Sequence, residues 1–365
     1  MKLIELFSDE VFELPLKKGP TSISTILKNK FNIYLELLEK LDKRDKYTRN
    51  IRDHIEYIHN LCKKLLLAHK SYLQGSPYKA YDHFSNGMSK LEAFLLFSIR
   101  ERVKYPDSYS FFRIRESKEK YLSPKDIFHI PFEHRYKVSN QRYSINGFPC
   151  LYLGSSIYVC WEELNRPNFG DLYVSAFRLV TKHPKILDLT FSAKESQSFL
   201  QRFKKDDVFH EWKLNGIVHK LILFPLIMSC SIINRENNRV FKEEYIIPQL
   251  LLEWVRNKNV INGIEYFSLS LPEYELDQRL YRNYVFPAKQ QKVTGQCNFL
   301  SSIFEFTDPI SWDFAKTLDA RAKIAESNSS FDFNILNQKR SYTHTEFREL
   351  EIIIDSFPFK KLDVT

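Results

Sequence analysis

The spacing of apolar residues changes once along this chain, near Tyr105-Pro106-Asp107-Ser108. Before that point apolar residues recur every three or four positions, over residues 33–41 and again over 51–65, which is typical of amphipathic helices. After it come short runs rich in β-forming residues, at 111–115, 150–153, 172–177 and 185–189. The sequence therefore predicts an α+β fold, with an all-α part followed by a mixed part.

The helical pattern begins near residue 20 and continues to about residue 103, with a break at Gly75-Ser76-Pro77. We predict a helical N-terminal domain over residues 1–105 and an α+β domain over 106–310, with helices around Trp161 and from Tyr245 to Arg256. Residues 311–365 are predicted to form a C-terminal helical extension, because residues 347–354 are amphipathic. A chain of 365 residues is long enough for two such cores.

Composition narrows the class of protein. The net charge of +9 is spread over short clusters, which favours a solvated surface over a nucleic-acid patch. The five cysteines show no CxxC pair, so we expect no zinc site and a reducing compartment. The N-terminus lacks a signal-peptide pattern, and the longest apolar run, residues 221–233, is too short to span a bilayer. We expect a cytoplasmic protein with no membrane partner.

The segment from Gln141 to Leu164 concentrates side chains that suit NAD chemistry. Breaking a nicotinamide glycosidic bond requires a grip on phosphates, packing against the ribose, and negative charge near an oxocarbenium-like transition state. Arg113 and Arg142 could bind the pyrophosphate bidentately. Tyr152 alternates with two leucines on a predicted strand, so its ring should point to the opposite face.

Glu162 and Glu163 are the candidate carboxylates, on a helix that Ser155-Ser156 can cap. Consecutive helical residues point about 100° apart, so only one of the two should face the pocket. The residues themselves do not choose between them.

Several motifs resemble the RES domain, a family named for its Arg, Glu and Ser residues. They are Arg142-Tyr143-Ser144 to Gly147-Phe148-Pro149, then Leu151-Tyr152-Leu153, then Val159-Cys160-Trp161-Glu162-Glu163. Residues 244–251 resemble the family's glutamine-bearing helix, and residues 263–268 resemble the strand that delivers its serine. The likeness covers residues 106–310. Residues 81–88 and 129–133 resemble segments of longer RES proteins that carry a helical N-terminal extension.

RES domains resemble ADP-ribosyltransferase toxins in fold and degrade NAD by phosphorolysis or hydrolysis. The resemblance implies that Arg113 and Arg142 bind the phosphates of NAD. It also implies that Tyr152, with Tyr143 as a further NAD-binding residue, packs near the nicotinamide side, and that Ser268 hydrogen-bonds the substrate. NAD is then the substrate, and neither a prosthetic group nor a metal is expected.

The family's glutamate lies in a pattern like Thr-Ala-x-x-Glu, which falls on Glu163 when Val159-Cys160 take the first two places. This departs from the usual Thr-Ala, so Glu162 stays a second candidate. Inorganic phosphate and water are the two candidate acceptors. Because compact RES toxins are paired with an antitoxin, we expect an antitoxin or other regulatory partner, and we favour a homodimer formed through the helical domain.

Three other functions compete with NAD cleavage. The same pocket could transfer ADP-ribose to a macromolecule, or a catalytically dead RES fold could serve for binding. The helical domain could instead act as an RNase of the HEPN type, because Arg49 and His54 have an Arg-x4-His spacing. Arg52 and His59, seven residues apart, would share a helix face better than that pair.

Overall fold

A computed structural model of the chain describes residues 1–363 apart from residue 93 and residues 95–98, 102–109, 181–184, 205–206, 235–238, 270–280, 318–331 and 336–337. The chain folds into helices and mixed sheets, so the predicted α+β class is confirmed. Contacts group it into two compact units. Unit 1 comprises Met1–Arg100, Gln141–Ser144 and Leu187–Val255; unit 2 comprises Glu101–Asn140, Ile145–Ile186 and Arg256–Thr365.

The α-helices of the described residues are numbered here in chain order. They are α1 (Leu3–Leu6), α2 (Ile23–Glu39), α3 (Lys46–Asp53), α4 (Ile55–Leu73), α5 (Pro77–Ser89), α6 (Pro124–Ile127), α7 (Ile157–Glu163), α8 (Ala193–Gln201), α9 (Val208–Ile222), α10 (Phe224–Cys230), α11 (Ile246–Asn257), α12 (Asn298–Ile303), α13 (Trp312–Lys316) and α14 (Glu346–Asp355).

The strands form one large sheet and two small ones. They are β1 (Leu16–Lys17), β2 (Ile99–Glu101), β3 (Phe111–Glu116), β4 (Cys150–Gly154), β5 (Leu172–Leu179), β6 (Lys185–Asp188), β7 (Ile232–Ile233), β8 (Gly263–Phe267), β9 (Arg282–Pro287), β10 (Phe304–Phe306), β11 (Ile310–Ser311), β12 (Asp332–Ile335) and β13 (Gln338–Ser341). The large sheet has the order β10-β5-β3-β4-β9-β8-β6-β2, with β11 also paired to β5. Strands β1 and β7 pair in parallel, and β12 and β13 pair antiparallel.

Unit 1 is mainly helical. Helix α2 begins after Ser22, whose hydroxyl accepts from the backbone N–H of Thr25 at 3.2 Å, as an N-cap residue does. One face of α2 is buried, at Ile23, Leu27, Phe31, Tyr34, Leu35 and Leu38. The hydroxyl of Tyr34 donates to the carbonyl of Leu221 on α9. This contact joins two helices that lie far apart in the sequence.

Helix α10 is buried along its whole length in unit 1, where the ring of Phe224 packs against Tyr34. It forms most of the apolar run noted in the sequence. Among the described residues, no single helix is long and apolar enough to cross a membrane. Only α9 and α10 taken together reach that length and composition, and they are bent by 66° at their junction.

Unit 2 is built on the large sheet, and alternate residues of its strands feed two hydrophobic cores. The first, called here the Phe111 core, holds Phe111, Leu151, Leu153, Tyr284 and Phe286 together with residues of α6 and α12. The second, called the Phe112 core, holds Phe112, Ile114 and Val174 together with residues of α7, α13 and α14. Helices therefore cover both faces of the sheet, and the C-terminal helix α14 belongs to this unit.

The grouping by contacts differs from the three consecutive segments drawn from the sequence. Residues 187–255 join the N-terminal helices rather than the sheet, because α10 packs on α2 and α4, and α9 packs on α3. The predicted helix up to residue 103 is wrong at Ile99–Glu101, which form the edge strand β2. The boundary drawn at residue 105 lies outside the described residues.

Candidate active site

Glu163 is the last residue of α7 and is held by two side chains of unit 2. Its Oε1 accepts a hydrogen bond from the Ser268 hydroxyl at 2.5 Å and another from the Asn283 amide nitrogen at 2.7 Å. Ser268 and Asn283 are buried, whereas Glu163 is exposed. The arrangement presents a fixed carboxylate at the protein surface.

The sheet sets the positions of both donors. Asn283 on β9 lies opposite Gly154 on β4 and Tyr266 on β8. Ser268 follows β8 directly, and its backbone N–H donates to the carbonyl of Tyr281 at 2.8 Å. By strand alternation Tyr266 and Ser268 lie on the same face as Asn283. The two donors therefore converge on the face that α7 covers.

Gly154 allows α7 to approach this face. A Cβ atom at Gly154 would lie 2.5 Å from Cys160 Sγ and 2.6 Å from Val159 Cγ1, closer than atoms can pack. The helix starts at the N-cap Ser156, whose hydroxyl accepts from the N–H of Val159 at 3.1 Å. A short helix seated directly on the sheet brings Glu163, at its far end, within reach of Asn283.

Glu162 points elsewhere. It is buried, and its Oε2 accepts from Arg166 Nε at 3.0 Å. Arg166 and Asn165 both have positive φ, 58° and 60°, in the turn that ends the helix. The structure brings Glu163, not Glu162, to Ser268 and Asn283, and the ion pair of Glu162 instead tethers this turn.

Arg113 lies on strand β3, and Tyr152 lies on the neighbouring strand β4. Within the described residues these strands pair at one position, Phe112 opposite Gly154. Arg113 Nη1 donates to the carbonyl of Tyr152 at 2.6 Å, while its Nε is buried without a hydrogen-bond partner. Desolvation by burial lowers the pKa of Arg113 to about 10. A buried guanidinium with one unused N–H is suited to a bound anion.

The predicted alternation along β4 is confirmed. Leu151 and Leu153 lie in the Phe111 core, so Tyr152 occupies the other face, with Gly154 two residues along. Burial raises the pKa of the Tyr152 phenol well above its usual value. Tyr152 is therefore neutral at physiological pH and lies on the face that α7 covers.

Arg142 and Tyr143 belong to unit 1. The Arg142 guanidinium lies 5.0 Å from the centre of the Tyr245 ring, and its Nη1 donates to the carbonyl of Cys230 at 3.3 Å. Tyr143 is only 1% exposed, so its side chain presents almost no surface to a ligand. The predicted NAD contact of Tyr143 therefore has little structural basis, because the ring is used for packing.

The glutamine of the predicted motif anchors the same segment. Gln249 on α11 donates through Nε2 to the carbonyl of Gln141 at 3.0 Å and lies 3.3 Å from Ser144 Oγ. A tight turn follows, in which Gly147 has φ of 66°, which favours glycine, and Phe148 N–H donates to the Ile145 carbonyl at 2.9 Å. The predicted site residues thus divide between the units, with Arg142 in unit 1 and Glu163 in unit 2.

The RNase candidates of the helical part are used locally. Arg52 donates to the carbonyls of Glu39 and Leu41, at the C-terminal end of α2, and Arg49 donates to the carbonyl of Lys43. The expectation that Arg52 and His59 share a helix face is wrong. One helix ends at Asp53 and the next begins at Ile55, so the two residues lie on separate helices.

Asn283 was not predicted from the sequence. It follows Arg282 in strand β9, and nothing in its immediate sequence relates it to Glu163, which lies 120 positions earlier. Within the described part of the chain, no three His, Cys, Asp or Glu side chains are grouped so that they could hold a metal ion. The site is thus made of the Glu163 carboxylate, the Asn283 amide and the Ser268 hydroxyl.

Comparison with known proteins gives one informative relative. No family model matches the chain, and no solved structure matches it. The chain is 33% identical over 353 residues to a Bacillus subtilis (strain 168) protein named "Putative toxin YopC", and the match covers 94% of this chain and 78% of the relative. The chain therefore belongs to the same family as this YopC protein.

Proposed function

We propose that this protein is a toxin that cleaves the nicotinamide glycosidic bond of NAD. The observation that carries the proposal is the exposed Glu163 carboxylate, fixed by Ser268 and Asn283 at the surface of a helix-covered sheet. The residues that resemble RES motifs add support, because the glutamate and the serine that those motifs assign are in contact here. The name of the YopC relative supports the toxin part of the proposal.

The proposed reaction is dissociative. As the bond to nicotinamide breaks, its electron pair leaves with the nicotinamide and the positive charge moves from the pyridinium ring to the ribose. A carboxylate preorganised beside the ribose stabilises that charge more in the transition state than in the ground state. Glu163 has this role, and the donors on its Oε1 keep it from rotating away. Water or inorganic phosphate then attacks the sugar from the face that nicotinamide has left.

Arg113 has the supporting role of binding a phosphate of NAD, because it has a buried N–H without a hydrogen-bond partner. The phosphate contact of Arg142, which lies in unit 1, stays a prediction from the sequence. Guanidinium groups bind phosphate oxygens through paired hydrogen bonds. In this proposal Tyr152 is the neutral aromatic group that packs near the nicotinamide ribose.

Loss of NAD would account for toxicity without a macromolecular target. In that case the activity must be silenced in the producing cell, and an antitoxin or another regulatory partner is part of the proposal. A cytoplasmic location follows from the proposal, because NAD is a cytoplasmic metabolite. Transfer of ADP-ribose to a macromolecule is the second candidate, and the following experiment separates it from NAD turnover.

The test uses purified protein and a large molar excess of NAD, with and without inorganic phosphate. Chromatography follows nicotinamide and the sugar-bearing product. ADP-ribose in both conditions would identify a hydrolase, and a phosphorylated ADP-ribose formed only with phosphate would identify a phosphorylase. Nicotinamide release limited to about one equivalent, with ADP-ribose attached to protein, would contradict turnover and support transfer.

A further inference from the structure

Asn283 donates to the same oxygen of Glu163 as Ser268 does, and its separate effect on the rate can be derived from its contacts. Its Nδ2 lies 2.7 Å from Glu163 Oε1, and the residue is 7% exposed. An amide nitrogen can only donate, and turning the amide over would place two acceptor oxygens against each other. We infer that Asn283 is a positioning residue, which fixes the carboxylate of Glu163 for NAD cleavage. The inference rests on the proposed function.

The backbone of Asn283 is held from the other face of the sheet. Its neighbours Arg282 and Tyr284 both bind Glu265, through Arg282 Nη1 at 2.7 Å and the Tyr284 hydroxyl at 3.1 Å. Successive strand residues point to opposite faces, so this buried network lies beneath the site. It fixes β9 in place while leaving the Asn283 amide directed at Glu163.

Ser155, which directly follows the neighbouring strand β4, adds a further restraint on β9. Its hydroxyl accepts from the backbone N–H of Arg282 at 3.0 Å, and its own N–H donates to the Arg282 carbonyl at 2.8 Å. Ser155 lies immediately before the N-cap of α7. The start of the glutamate-bearing helix and the start of β9 are therefore joined by two hydrogen bonds.

The two donors on Glu163 differ in kind. The Ser268 hydroxyl follows the end of β8 and can rotate to donate or accept, whereas the Asn283 amide lies inside β9 and offers only N–H groups toward the carboxylate. A rotatable hydroxyl satisfies the carboxylate in several orientations. A fixed amide selects one of them, which is what preorganisation of a transition-state charge requires.

The decisive variant is Asn283→Asp, which keeps the shape of the side chain and replaces the donor with an acceptor. Two carboxylates would then face each other at the 2.7 Å contact, so kcat for nicotinamide release should fall about 100-fold. Asn283→Ala removes the hydrogen bond without repulsion, and kcat should fall about 10-fold. KM for NAD should change little in both, because the contact acts through Glu163.

A space-filling role for Asn283 gives the opposite order, because aspartate fills the site and alanine leaves a void. The matched control is Asn165→Asp, which adds the same charge at an exposed position two residues after Glu163 and should leave kcat close to that of wild type. Melting temperatures of all variants separate a loss of chemistry from a loss of folded protein.

Folding stability supplies a second readout that does not depend on turnover. In Glu163→Gln/Asn283→Asp the donor and acceptor are exchanged, so the double variant should be more stable than the sum of its single variants predicts. Additive effects would overturn the contact. If wild type turns over NAD and Asn283→Asp has the same kcat, the inference on Asn283 is overturned and the proposed function stands. If wild type releases no nicotinamide, both the proposed function and the inference are overturned.

Discussion

Replacing Glu351, on the C-terminal helix α14, with alanine should lower the free energy of unfolding. Glu351 is 3% exposed on α14, and its Oε1 accepts from the backbone N–H of Ile157 at 2.8 Å and from the Tyr342 hydroxyl at 2.5 Å. Ile157 is the first residue of α7, so Glu351 caps the helix whose last residue is Glu163. Its Oε2 accepts from Arg348 at 3.2 Å.

The size of the effect follows from these contacts. Alanine would remove the acceptor of the buried Ile157 N–H and one hydrogen bond of the buried Tyr342 hydroxyl, and such a loss costs about 1–3 kcal/mol for each group. Arg348 is 35% exposed and can turn to water, so losing its ion pair adds little. Desolvation raises the pKa of Glu351, so removing the carboxylate relieves part of the cost. We expect a net loss of about 2–4 kcal/mol in the free energy of unfolding.

Two variants calibrate that measurement. Glu351→Gln keeps one acceptor oxygen and should lose about 1 kcal/mol. Glu346 lies on the same helix as Glu351 and forms an exposed ion pair with Lys316 of α13, so Glu346→Ala should stay within about 0.5 kcal/mol of wild type. Urea unfolding followed by tryptophan fluorescence gives all the values. A Glu351→Ala protein as stable as Glu346→Ala would refute the capping role.

Other predictions concern packing, pH and the RNase alternative. Gly154→Ala should cost about 1–3 kcal/mol and slow nicotinamide release, because the added methyl group displaces α7; equal urea midpoints would contradict this. Burial lowers the pKa of His129 to about 4, and its Nε2 accepts from the Cys297 N–H at 2.8 Å. The unfolded histidine therefore binds a proton at higher pH, so the contribution of His129 to stability is fully present above pH 6.5. About 3 kcal/mol of this contribution should be lost as pH falls toward 4. In urea titrations the free energy of unfolding of His129→Gln should therefore fall less steeply with decreasing pH than that of wild type. Arg52→Ala should lower the free energy of unfolding by about 1 kcal/mol, because the carbonyls at the end of α2 lose their donor. If this variant instead unfolds like wild type and loses an RNA-cleaving activity that wild type has, the RNase function is supported.

Local patterns predicted the elements that carry the site. The alternation around Tyr152, the cap before α7 and the run that ends at Ser268 are each encoded within a few neighbouring residues. Those signals predicted β4, α7 and β8, and the structure confirms them. The motif order then placed Glu163 and Ser268 in one site, and the structure brings the two side chains into contact.

Contacts between distant parts of the chain were not predictable in this way. Asn283 meets Glu163 through the register of three strands, and Glu351 meets Ile157 across 194 positions. Sheet register and the docking of a terminal helix depend on the packing of the whole unit, which hydrophobic periodicity does not encode. For the same reason residues 187–255 could not be assigned to the N-terminal helices from their composition.

Repeated cleavage of NAD that depends on Glu163 can be tested by counting the nicotinamide molecules released per protein molecule. Wild type, Glu163→Gln and Glu162→Gln are compared under one excess of NAD. We expect many turnovers for wild type, almost none for Glu163→Gln, and retained turnover for Glu162→Gln at a temperature where that variant is folded. Full turnover in Glu163→Gln, or none in wild type, would contradict this expectation.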